Sequence, residues 1–219
     1  MKKYVLFLLL AVFVLSNTVN ALAFSVNGKE YFHPIDAVTG EPITTSTYTG
    51  TVIGDPQYNC YPQDAYAIAM SEPGTYILDV RTPCEWQWVG HPGKNKAGAG
   101  AALETPERKV LNIPWQFWQF DKKTCAFVNV GNEYFENDAE EAFSGIENVK
   151  VITMCRSGHR SVLSGEALEV LGIPAINMLD GFEGGTDANG YRTVNGWKVT
   201  GCPYNFSATG IYSNRKALK

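Results

Sequence analysis

The segment Val149-Lys150-Val151-Ile152-Thr153-Met154-Cys155-Arg156-Ser157-Gly158-His159-Arg160-Ser161-Val162-Leu163 passes from a β-branched strand, through a short polar loop that opens on a cysteine, into the start of a helix. A loop that closes onto a helix N-terminus points its backbone N–H groups inward, and the helix dipole adds positive potential there. A thiolate on Cys155 is an anion that such a cradle stabilises. Arg156, His159 and Arg160 place cationic or donor groups beside it, and neighbours of that kind lower a cysteine pKa from its free value of ~8.5. The competing reading is a buried apolar cysteine that ends a core strand, but such a cysteine has no need of two arginines and a histidine. Cys155 is therefore the expected nucleophile, with Ser157, Gly158 and Ser161 completing its loop.

Downstream, Leu163, Ala167, Val170 and Leu171 fall on one helical face, Gly172 suits the position just past a helix end, and Pro174 prevents continuation. Ala175 to Leu179 then reads as the next strand. Strand, helix and strand in this order imply a parallel pair with a right-handed crossover, hence an α/β fold. Gly181-Phe182-Glu183-Gly184-Gly185 follows at a strand end, where glycines let the backbone approach a ligand and Phe182 is expected to wall the pocket. Upstream, a helix is expected from Pro62, with Ala65, Ile68 and Ala69 inward, until Pro73-Gly74 stops it. Tyr76 to Val80 is a buried strand. It carries Asp79, with Arg81 following, to its C-terminal end, the side on which ligands bind in open α/β sheets.

Cys155-Arg156-Ser157-Gly158-His159-Arg160-Ser161 resembles the active-site loop of the rhodanese sulfurtransferase family in its single-domain bacterial form. Three further stretches match in the same order: Leu78-Asp79-Val80-Arg81-Thr82-Pro83 with Glu85-Trp86 and Gly90-His91-Pro92-Gly93, then Asn112-Ile113-Pro114, then Gly181-Phe182-Glu183-Gly184. The resemblance spans residues 58 to 200. It implies a central parallel sheet flanked by helices, and sulfur transfer through a Cys155 persulfide from thiosulfate, polysulfide or another persulfide to cyanide or a thiol. It also implies that Asp79 and Arg81 brace the loop, although a plain structural ion pair fits those two residues equally well, and that His91 belongs to a turn. Arg156 and Arg160 would orient an anionic donor, and His159 would assist or hydrogen-bond at the rim. No metal or organic cofactor is required. Lys94 to Arg108 departs from the compact pattern as an insert, expected to be a surface loop that could cover the site.

Two other functions compete. Relatives acting on phosphate or arsenate have, by the same resemblance, five residues between cysteine and arginine, whereas four separate Cys155 from Arg160 here. A carrier that accepts persulfide sulfur from a partner without turnover is the other.

Met1-Lys2-Lys3, the apolar run Tyr4 to Ser16 and Ala21-Leu22-Ala23 read as a secretory signal peptide over residues 1–23, cleaved after Ala23. The apolar run is shorter than the ~20 residues of a membrane span, so no stable membrane anchor is expected, and the protein should be periplasmic or secreted. Residues 24–57 form an extension with one or two strands, and residues 201–219 an irregular tail. A formal charge of −4 without basic runs gives no reason to expect nucleic acid; a periplasmic protein partner is compatible with it. The five cysteines are 60, 84, 125, 155 and 202. With Cys155 free, the other four could form up to two bridges in three connectivities. No zinc-ligand spacing occurs, and Asp187-Ala188-Asn189-Gly190 reads as a turn rather than a calcium loop. Trp115, Phe117, Trp118 and Phe120 are expected in the core rather than on a docking wall. Glu133 to Phe143 is expected to be an amphipathic helix with Phe135, Ala139 and Phe143 inward.

Overall fold

The computed structural model describes residues 59–104 and 108–211, together with the backbone of a hairpin formed by β1 (Ala23–Val26) and β2 (Lys29–Phe32). The predicted signal peptide, save Ala23, and most of the predicted extension lie outside the described residues. Among the described residues no helix is long and apolar enough to cross a membrane.

The centre is a five-stranded, wholly parallel sheet. Its strands are β3 (Asn59–Cys60), β4 (Thr75–Asp79), β6 (Val110–Asn112), β9 (Lys150–Met154) and β10 (Ala175–Met178), in the order β3-β10-β9-β4-β6. Alternation along the strands sends side chains to two cores. Ile77, Ile152 and Met154 meet α1 (Pro62–Ser71), Trp86 and Trp197 on one face. On the other, Tyr76, Leu78 and Val151 meet α3 (Phe135–Phe143) and α4 (His159–Val170). Cys155, the residue after β9, lies on the α4 side.

Local rules explain most boundaries. Helix α1 starts with Pro62 at its first position. In α3, Phe135, Ala139 and Phe143 are buried as their spacing predicts. Helix α4 ends in a Schellman motif, with Gly172 at φ 76° and Ile173 N–H bonded to Leu168 O at 3.0 Å. Its buried face differs from the expected one, however. Ser161, Val162, Ser164, Gly165 and Leu168 are buried, while Val170 is 85% exposed. Small residues let α4 lie close to the sheet, and the buried hydroxyls keep partners: Ser164 Oγ donates to Ser161 O at 3.1 Å.

One other expectation is corrected and two are refined. The aromatic stretch is not core: β7 (Gln116–Asp121) and β8 (Ala126–Gly131) form an antiparallel arm that, among the described residues, pairs only with itself, with Trp118, Phe120 and Phe127 about half exposed or more. Only Trp115 turns inward, edge-on to Phe135. The tail is mostly irregular as far as Ile211, as expected, but short pairings and buried side chains tie it down. After the small hairpin of β11 (Gly185–Thr186) and β12 (Arg192–Val194), Trp197 is fully buried, and β13 (Tyr204–Asn205) pairs with β5 (His91–Pro92). Ser207 O accepts from Trp86 Nε1 at 2.9 Å and meets His91 Nε2 at the same distance. His91, stacked on Trp86 with ring centroids 3.7 Å apart, is thus a buried structural residue, as its turn position implies. The insert is folded down by a 3₁₀ turn at Ala101–Leu103 that buries Leu103, and its residues 105–107 are outside those described. All five cysteines are unbridged.

Candidate active site

Cys155 sits where β9 gives way to α4, only 1% exposed. Gly158, at φ 107°, caps α4 and turns its N–H onto Cys155 Sγ at 3.1 Å. Ser161 Oγ lies 3.5 Å from the same sulfur. The loop is fixed from outside by backbone: Phe182 N–H donates to Cys155 O at 2.8 Å and Glu183 N–H to Arg156 O at 2.9 Å. Gly181 makes this possible. It has φ 56°, and a Cβ there would collide with Cys155 O and lie 2.8 Å from Ser157 N.

Around the sulfur is a cleft of about 650 Å³. The loop forms its floor, with Ser157 half-buried and His159 exposed at the rim. Gln116 and Trp118 of β7 and Asn129 of β8 form a wall, so the aromatic arm, and not a described residue of the insert, borders the site. Glu85 and Val89 of α2 (Pro83–Val89) face them, and Glu183 and Arg192 close another side.

The arginines depart from the expected arrangement. Arg160 grips Glu85 with both terminal nitrogens, at 2.9 and 2.7 Å, and Arg156 Nε lies 3.1 Å from Glu183. Each guanidinium therefore has a carboxylate counter-ion rather than standing free for an anion. Burial alone would raise the Glu85 pKa, but the Arg160 hydrogen bonds and charge, the Thr82 N–H and the Arg81 charge outweigh it and hold Glu85 at about 2. Burial alone would lower the Arg160 pKa; Glu85 outweighs this and raises it, with the negative charges of Cys155 and Asp79 adding. Glu85 also closes the capping box of α2, accepting from Thr82 N at 3.0 Å.

Asp79 and Arg81 form a fully buried ion pair outside the cleft lining. Arg81 Nη2 also donates to Gly90 O at 2.7 Å, and Val80 N–H to Met154 O at 2.8 Å, which ties this corner to the end of β9. Phe182 does not wall the cleft as expected. It is fully buried, with the Arg81 guanidinium 4.2 Å above its ring, because the glycine turn that clamps the loop directs its side chain into the core. Asp187 is a turn residue, its carboxylate accepting from the N–H groups of Asn189 and Tyr191. Among the described residues no three His, Cys, Asp or Glu side chains gather as metal ligands.

Sequence reasoning missed Arg192, the arm residues and the roles of Glu85 and Glu183. The capping-box spacing Thr82 to Glu85 marked Glu85 as a helix-start residue, and Gln116, Trp118 and Phe120 alternate as a strand should.

No family model matches the chain. It is 28% identical over 147 residues to uncharacterized proteins of Rickettsia conorii and Rickettsia montanensis, matching 65% of this chain and 92% of each of theirs. The solved structure of Rv0390 from Mycobacterium tuberculosis is 30% identical, with a TM-score of 0.53, over 68% of this chain and 97% of that one. The chain belongs to the same family of α/β proteins as Rv0390.

Proposed function

We propose that this protein is a rhodanese-like sulfurtransferase that carries sulfane sulfur as a Cys155 persulfide. The observation that carries the reading is the setting of the Cys155 sulfur: sunk at the N-terminus of α4, with the Gly158 N–H at 3.1 Å and the Ser161 hydroxyl at 3.5 Å. Dipoles of this kind stabilise an anionic sulfur without fixing a bulky oxyanion. In the first step the Cys155 thiolate attacks the outer sulfur of thiosulfate. The sulfur–sulfur bond of the donor breaks, sulfite leaves with the electron pair, and Cys155–S–S⁻ remains. In the second step a thiolate or cyanide attacks the terminal sulfur, and the Cys155 thiolate leaves. Atoms and charge balance with no metal or organic cofactor.

Loop length speaks against a phosphatase or arsenate reductase: four residues separate Cys155 from Arg160, against the five that the resemblance gives to relatives acting on phosphate or arsenate. The carrier reading draws support from Trp118, which borders the cleft while 59% exposed and suits a sulfur donor or acceptor borne on a larger body. The amino-terminal pattern supports export to the periplasm or beyond the cell.

The test is the intact mass of reduced, desalted protein after exposure to thiosulfate or polysulfide. A gain of one sulfur, about 32 Da, that cyanide removes and that Cys155→Ser lacks is the expected result. No adduct from a folded protein with every sulfur donor would end the sulfurtransferase reading, and a stable adduct without turnover would select the carrier.

A further inference from the structure

Beneath Cys155 lies a row of buried polar side chains. Asn59 of β3, Asn177 of β10 and Thr153 of β9 are adjacent in register across the sheet. Asn59 and Asn177 are 1% and 2% exposed, and Thr153 and Ser161 are fully buried. Thr153 Oγ1 donates to Ser161 O at 2.9 Å, which fixes the first turn of α4 over the row. Apolar residues of the same shape could fill such a row at little loss of stability. Three of these four, Asn59, Asn177 and Ser161, instead form a chain that ends at the sulfur.

The Ser161 hydroxyl has one proton and three acceptors: Asn177 Oδ1 at 2.7 Å, Gly158 O at 2.9 Å and Cys155 Sγ at 3.5 Å. With Asn177 Nδ2 donating to Asn59 Oδ1 at 3.1 Å, the Ser161 proton goes to Asn177, and Asn59 Nδ2 is buried without an acceptor. A half-turn of both amides exchanges nitrogen and oxygen at nearly the same positions. Asn59 Nδ2 then donates to Asn177 Oδ1, and Asn177 Nδ2 to Ser161 Oγ. The Ser161 proton is then left to Gly158 O and the sulfur, and an anionic sulfur draws it from the neutral carbonyl; the unpartnered group becomes a carbonyl oxygen, which is tolerated better than an orphaned N–H.

We propose that Asn59 and Asn177 are positioning residues that act through Ser161, forming a relay with two hydrogen-bond polarities whose second polarity delivers the Ser161 hydroxyl to an anionic Cys155 sulfur. The inference rests on the reading of Cys155 as the sulfur-carrying nucleophile. The charged groups around the cleft are Arg156 and Arg160, which hold Glu183 and Glu85, together with Arg192; His159 is at the rim. None of them hydrogen-bonds to the side chains of Asn59, Asn177 or Ser161, and the relay is neutral in both polarities.

The test reads the thiol directly. Cys155 alkylation by iodoacetamide is followed against pH, resolved from Cys84 and Cys125 by peptide mass, in wild type, Ser161→Ala, Asn177→Leu and the double variant. A hydrogen bond to a charged acceptor predicts that Ser161→Ala moves the profile to higher pH by about one unit, and that Asn177→Leu, which removes both the competing acceptor and the reinforcing donor, moves it only while Ser161 is present, so that the double variant matches Ser161→Ala. An unchanged profile in Asn177→Leu, or effects of the two sites that add, overturns the relay. A merely structural role for Asn177 gives no reason for that non-additivity. Should Asn177→Leu fail to fold, NMR on the wild type decides: the side-chain amide signals of Asn59 and Asn177 should shift in step with Cys155 ionisation and stay flat in Cys155→Ser, and flat signals in wild type overturn the proposal. Neither readout uses a sulfur donor. Coupled alkylation with no persulfide therefore refutes the sulfurtransferase and not the relay, and persulfide with uncoupled alkylation does the reverse.

Discussion

Replacing Glu85 with Gln isolates the charge of the Arg160 counter-ion, because Gln keeps the shape and still closes a capping box with Thr82. The carboxyl is held at about 2 against an ordinary 4.5. At ~1.4 kcal/mol per pH unit, that difference corresponds to about 3 kcal/mol of stability. The two side chains are 20% and 15% exposed, so solvent screening removes only part of it, and about 2–3 kcal/mol is expected. For a chain of this size such a loss lowers Tm by roughly 4–12 °C. The sign with pH follows from the depressed pKa. The contribution is complete above pH ~4.5, declines as pH falls toward 2, and is absent below that. Urea unfolding of wild type and Glu85→Gln at pH 7, and at a series of acid values, measures it. The two curves should lie apart at pH 7 and converge on acidification. Equal stability at pH 7, or a gap that persists undiminished at the acid end, would show that Arg160 does not depend on Glu85 for its charge balance.

Three further outcomes are expected. Gly181→Ala places a methyl group against the Cys155 carbonyl in a left-handed backbone; it should cost about 2–4 kcal/mol in urea unfolding and slow Cys155 persulfide formation, and a stable, fully reactive variant would mean that the glycine turn does not hold the loop. Trp118→Ala removes a side chain from an exposed arm, so stability should change by no more than about 0.5 kcal/mol. Sulfur transfer to a protein thiol should fall several-fold while transfer to cyanide is kept, and equal losses with both acceptors would remove the arm from acceptor choice. Asp79→Asn strands Arg81 in a fully buried site and should cost about 3–5 kcal/mol, read as a lower urea midpoint; a midpoint like the wild type's would show that solvent reaches the guanidinium.

What was legible in the sequence is what local rules govern. The strand, loop, helix and strand around Cys155 could be read because β-branched residues, Gly172 and Pro174 act within a few positions of themselves. The position of the sulfur followed from that topology. The arm was misread because its aromatic composition resembles a core, while among the described residues its two strands pair only with each other and expose Trp118, Phe120 and Phe127. The buried face of α4 was missed because Ser161 and Ser164 are inside only by virtue of their hydrogen-bond partners. The pairing within the tail was missed because its partners, His91 and Pro92, stand more than a hundred positions away.

The arginines show the same limit where it matters most for chemistry. Two cations flanking Cys155 read from sequence as an anion clamp, since nothing nearby in the chain opposes them. Their counter-ions come from elsewhere: Glu85 lies 75 positions before Arg160, and Glu183 arrives from the far side of α4 and β10. Once these pairs form, four of the full charges around the cleft are matched, Arg192 is hydrogen-bonded to Gly184 O, and the groups that hydrogen-bond the sulfur itself are dipoles: the Gly158 N–H and the Ser161 hydroxyl at the first turn of α4. Dipoles fixed in a buried site are screened by salt far less than exposed charges are. They also act over a short range, so they do not draw every passing anion to the site. In the sulfurtransferase we propose, a cleft built this way holds a small anionic sulfur in place and leaves the choice of what approaches to its walls.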